Sequence, residues 1–146
     1  MKHNLILKII AKFLIPLIFL FALYVQFHGD FGPGGGFQAG VIFSAGLILY
    51  TLVFGVEIAK NIIPPFVLRL LASLGVLIYA GTGIAGLVLG GKYLEFGVLG
   101  TTRVAGQHLG IVLVELGVGM TVMSAMLLIF FAFEERGQSQ GPLNKS

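Results

Sequence analysis

The chain has 146 residues, 57% of them hydrophobic and only 10% charged, with a mean hydropathy of +1.01. A soluble domain carries about 25% charged residues because its surface meets water, so a chain this short and apolar is excluded from that class and turns its surface to lipid or apolar partners. The formal charge of +3 is scattered over helix ends, which argues against nucleic acid, and the absence of cysteine excludes disulfides and thiolate metal sites.

A membrane-crossing helix needs about 20 mostly apolar residues. Four windows qualify, at 5–27, 37–56, 70–91 and 109–133. The expected fold is therefore an all-α integral membrane protein. It has a single domain over residues 1–135 with four transmembrane helices, followed by a mobile cytoplasmic tail at 136–146. The first window carries Lys8 and Lys12 near its start, where long side chains can snorkel to the interface. The second and third are uncharged, and the fourth contains one charge, Glu115. Lys2, Lys8, Lys12, Lys60, Arg69, Arg136 and Lys145 fall on one side of such a chain, against Lys92 and Arg103 on the other. The positive-inside rule then places both termini in the cytoplasm.

Between the first two windows runs His28-Gly29-Asp30-Phe31-Gly32-Pro33-Gly34-Gly35-Gly36-Phe37-Gln38-Ala39-Gly40. It lacks the spacing and the strand context of a dinucleotide fingerprint, and it lacks the Lys-Ser/Thr pair of a phosphate-binding loop. Pro33 suits the first turn of the second helix, and the glycines permit close backbone approach. The bare N–H groups of that helix start attract an anion or a carboxylate; a tightly packed turn is the simpler reading. Gly36, Gly40 and Ser44 recur every four residues, as do Thr82, Gly86 and Gly90, and Gly106 with Gly110. Such small-residue stripes let helices pack closely in lipid.

The Pro33-Gly34-Gly35-Gly36-Phe37 run, opening the second span of a short four-helix chain, resembles the MnhB-like family, the B-type component of the multisubunit Mrp-type (Mnh-type) sodium/proton antiporters. The resemblance covers nearly the whole chain; where family members often have two glycines shortly after the Phe, this chain has Ala39-Gly40. The resemblance implies a non-enzymatic component of a prokaryotic cell-membrane complex that exchanges Na+ for H+. It would need no cofactor, would assemble with A, C, D, E, F and G type subunits, and would border the sodium path. B-like modules of membrane-bound hydrogenases and related respiratory complexes are the alternative parent.

The residues alone also single out Glu115. A charge inside hydrocarbon is costly, faces a partner or water, and often marks an ion pathway. His108 lies two turns away on nearly the same face. The expected cation path therefore runs by Glu115, with His108 and Asp30 at its outer mouth; a purely structural Glu115 is weighed about evenly against it. His28, Asp30 and His108 would gather at the outer surface, yet no metal site is expected of them. Glu57 and Lys60, one turn apart, read as an interfacial ion pair. The apolar residues of the longest connection (Phe96, Val98, Leu99) suit a partner or the membrane interface. No acid, base and metal-ligand constellation converges, so no enzymatic activity is expected.

Overall fold

The structure is a computed structural model that describes residues 2–29 and 31–140. Among them there are helices and turns but no strands. Lipid offers backbone groups no water, so long apolar runs resolve into helices that satisfy their own hydrogen bonds. The helices are α1 (Lys2–His28), α2 (Gly36–Phe54), α3 (Val56–Ile62), α4 (Pro65–Val88) and α5 (Arg103–Gln140), with a single 3₁₀ turn at Phe96–Val98. Four of them hold stretches long and apolar enough to cross a membrane: Leu5–His28, Gly36–Phe54, Pro65–Val88 and Arg103–Gly137. The four-span expectation is met, with altered ends.

Those ends have local causes. The second span stops at Phe54 because Gly55 takes φ +107°, a conformation open to glycine, and ends α2. The next seven residues, expected as connection, form α3. Pro65 occupies the first turn of α4, where its missing N–H is harmless, so Arg69 lies inside a helix and not in a loop. The expected tail is partly helical: residues 136–140 continue α5, and 141–146 lie outside the described residues.

Lys60 does not pair with Glu57. Its Nζ stands 2.6 Å from Glu135 Oε1 and 5.8 Å from the centre of the Phe131 ring, so α3 is tied to the far end of α5. A tertiary partner reached by a long side chain has displaced the local one.

Helix α5 lies between α2 and α4, and α1 packs chiefly on α2. Glycine makes both sides of α5 close. A methyl group at Gly40 would stand 2.7 Å from the Gly119 carbonyl oxygen. On the other side, one at Gly75 would stand 2.5 Å from the Gly117 carbonyl oxygen, and one at Gly117 would stand 2.7 Å from that of Gly75. Ser44, fully buried, donates to its own helix at Val41 O (2.7 Å) and so keeps its small body available for packing. Phe19 of α1 stacks on Phe43 of α2 at 5.7 Å.

The connection from 89 to 102 folds back onto its own bundle. Tyr93 lays its ring over Gly83, and the Phe96 ring fills the notch at Gly110. Gly86 is buried beneath the Lys92 and Glu95 carbonyls, each 3.3 Å from where a methyl group would sit. Gly90, expected on a packing stripe, lies beyond the end of α4 at φ +88° with open space around it. The turn there needs glycine for its backbone, not for helix contact.

No span has more than 28% of its most apolar stretch buried inside the chain. Much of the remainder faces outward as bare hydrocarbon, Leu17, Leu20, Leu77 and Val88 among it.

Gly75→Ala is expected to destabilise the bundle by about 1–3 kcal/mol through overpacking. Gly81→Ala, where nothing lies within 4 Å, should stay within about 0.5 kcal/mol of the parent. Reversible unfolding of the purified chain in mixed micelles compares the two.

Candidate functional site

The glycine-rich segment is folded around the end of α1. The Phe31 and Gly32 N–H groups both donate to the His28 carbonyl, at 3.0 and 3.2 Å. The chain then doubles back, and the Gly35 N–H donates to the Val25 carbonyl at 3.1 Å, satisfying an acceptor that the end of α1 leaves open. Gly34 passes so close that a methyl group on it would stand 2.9 Å from the same oxygen. Gly35 has φ +125°, and its carbonyl accepts the Ala39 N–H to start α2. The Pro33 to Gly36 run thus reverses the chain in minimal space.

That space is shared with Glu115. A methyl group on Gly36 would land on the Glu115 carbonyl oxygen, so α2 and α5 meet backbone to backbone. One on Gly29 would overlap the Glu115 carboxylate, and one on Gly35 would stand 3.0 Å from Glu115 Oε1. The carboxylate therefore lies in the cleft between the last residue of the α1 turn and the first of α2. The sequence suggested that the start of α2 attracts a carboxylate; Glu115 of the same chain occupies that position. Uncompensated N–H dipoles at a helix start favour negative charge there.

The other expected residues are distributed unevenly. His28 is half-buried and stacks on Tyr24 at 5.0 Å, with Phe31 tilted against it at 6.5 Å. His108 is exposed near the start of α5, two turns before Glu115 on the same helix. Asp30 lies outside the described residues. Pro33 and Phe37 point outward, Phe37 being 62% exposed, so the aromatic end of the motif belongs to the outer surface and not to the cleft.

One residue went unnoticed in the sequence. Gln26, only 9% exposed, turns its amide toward α5, where its Oε1 lies 2.7 Å from the place of a methyl group on Gly119. Gln26 precedes Gly29 by three residues and Gly119 follows Glu115 by four, so the two pairs share facing sides of α1 and α5. The available signal was an amide near the end of an otherwise apolar run, a place where interfacial hydration is the ordinary explanation.

A family profile described as the domain related to the MnhB subunit of Na+/H+ antiporters matches residues 6–128, a stretch that holds both the glycine loop and Glu115. The chain belongs to the MnhB family. Among similar proteins, the B-type component of the Na(+)/H(+) antiporter of Bacillus subtilis is 31% identical to this MnhB-family chain over 134 residues, covering 85% of this chain and 93% of its own. The mnhB2 antiporter protein of Staphylococcus haemolyticus is 34% identical over 138 residues, with 86% and 96% covered. That of Staphylococcus epidermidis is 36% identical over 135 residues, with 84% and 94% covered.

The two kinds of glycine contact are separable. Gly36→Ala meets the Glu115 backbone, and its cost of about 1–3 kcal/mol should persist when Glu115 is trimmed to alanine. Gly29→Ala meets the carboxylate first, so its smaller cost should fall away in the Glu115→Ala background. A double-mutant cycle on unfolding in micelles reads the coupling, expected at about 0.5 kcal/mol or more for Gly29 with Glu115 and near zero for Gly36 with Glu115.

Proposed function

We propose that this MnhB-family chain is a non-catalytic membrane component of a multisubunit Na+/H+ antiporter, needed for assembly of the complex and bordering its sodium path at Glu115. The observation that carries this reading is the Glu115 carboxylate held in a glycine cleft at the end of a membrane-spanning bundle. A carboxylate there binds a proton or a cation but not both at once, which is the elementary step of exchange. His108, two turns earlier on the same helix, stands toward the outer mouth of the path. No cofactor takes part; Na+ and H+ are the transported ions.

The reading needs partners. Four spans whose apolar stretches are mostly uncovered, with one carboxylate between them, border a path but do not enclose it. Neighbouring subunits of the A, C, D, E, F and G types complete it within the prokaryotic cell membrane. The relatives' names, which make each of them one component of an antiporter, agree with such a role.

Glu115→Gln keeps size and hydrogen-bonding capacity and removes the charge. Reconstituted in the whole complex, with assembly verified, it is expected to lower sodium-dependent proton exchange in vesicles by about tenfold or more. An unchanged rate and an unchanged apparent sodium affinity overturn the reading.

The orientation proposed from the positive residues places both termini in the cytoplasm. The chain has no cysteine, so single cysteines report on it directly. With a membrane-impermeant maleimide, Ser139→Cys should label only when the cytoplasmic face is accessible, and Tyr93→Cys only from the outside.

A further inference from the structure

At the end of the bundle that carries α3, far from Glu115, Ile15 and Phe19 of α1, Thr51 of α2, Ala59 of α3, and Leu127 and Phe131 of α5 line a cavity of about 240 Å3. The lining is almost wholly apolar, and the Thr51 hydroxyl donates to its own helix at Leu47 O, 2.8 Å away. A protein cavity of about 150 Å3 with walls of this kind stays dry and admits benzene, so the larger one here accepts an apolar guest. Left empty, it forfeits dispersion contacts on every wall. The guest must be slender. A helix is about 10 Å across, too broad for a space walled by four helices of one chain, whereas a single hydrocarbon chain fits.

The charge beside the cavity bears on what that hydrocarbon is attached to. Lys8 and Lys12 precede Ile15 by seven and three residues, so helical register places them on its side of α1, nearer the helix start. Both are exposed, and neither has an acidic partner among the described residues. Lys60, at the same end, is already matched by Glu135 at 2.6 Å. Ile15 lies about 15 Å along the helix from Leu5, where the apolar span begins. A lipid whose head rests at the lysines therefore reaches the cavity with the middle of its chain.

We propose that this cavity seats one acyl chain of an anionic phospholipid from the surrounding bilayer, with the lipid phosphate held by Lys8 and Lys12. Such a lipid brings in one molecule the apolar filling and the negative charge that this end of the bundle lacks. The seated chain joins α1, which packs chiefly on α2, to α5. Ala59 makes α3 one wall of the site, and the contact of Lys60 with Glu135 holds that wall in place.

The test uses the whole complex in phosphatidylcholine vesicles doped with a phosphatidylglycerol that carries a photoactivatable diazirine at mid-chain. A phosphatidylcholine with the same labelled chain is the control. Illumination followed by peptide mass spectrometry is expected to place the label on Ile15, Phe19 or Leu127, about tenfold more from the anionic probe than from the control. Lys8→Gln combined with Lys12→Gln should bring the anionic probe down to the level of the control. Ala59→Phe, which fills the cavity, should remove the label from Ile15 and Leu127 and leave it on the outward-facing Leu77. Where Ala59→Phe fails to assemble, the parent map and the lysine pair still decide. Absence of label from the cavity residues of the parent overturns the proposal, as does equal labelling by both probes. It is overturned as well if photoactivatable side chains at Ile15 and Leu127 capture another subunit and no lipid, since a protein then covers the cavity.

Discussion

Helix α5 touches both of its neighbours through bare backbone, at Gly36 and Gly40 on one side and at Gly75 on the other. In lipid, apolar side chains gain little by meeting one another, since hydrocarbon surrounds them either way. What holds helices together is close packing, and close packing requires that Cβ atoms be missing where backbones cross. The membrane position of Glu115, the tightness of the turn before α2, and the notches that receive Tyr93 and Phe96 all follow from where these glycines fall.

Glu115 and the glycine loop are consequently one structure. The loop can close on the carboxylate only because Gly29 and Gly35 have no side chains, and α2 can begin where it does only because Gly36 yields to the α5 backbone. A carboxylate lodged against backbone on both sides has little freedom of position. The hydrogen bond from Gly35 N to Val25 O extends this constraint to α1, so three helices share the definition of one cleft.

The spans were legible because about 20 apolar residues have few fates other than crossing a bilayer. The start of α4 was also approachable, since Pro65 announces a first turn. The end of α2 was not, because a single glycine within an apolar run is ordinarily tolerated by a helix, and only tertiary context makes Gly55 a break. The partner of Lys60 escaped for a related reason: spacing shows Glu57 but cannot show Glu135, which lies 75 residues away. Glu115 stood out as a lone charge, whereas its contact with Gly29 and Gly35 depends on which face α5 turns to α2. Gln26 was hidden for the same cause, and Gly90 was misplaced because a four-residue spacing does not reveal where a helix stops.

The length of α5 has a mechanical consequence. At 38 residues it extends about 57 Å, nearly twice the hydrocarbon thickness. Its glycine clamps lie in its first half, and its ion pair with α3 lies about 30 Å further on. Between these points Leu127 and Phe131 pack with Leu68 of α4 and Ala59 of α3, so the helix is held along its length and moves as one rod. A tilt of about 3° at the clamps displaces the Glu135 end by about 1.5 Å over that arm, enough to strain a 2.6 Å contact. A rod clamped at one end by glycine and tied at the other by an ion pair couples the carboxylate's surroundings to the α3 end of the bundle.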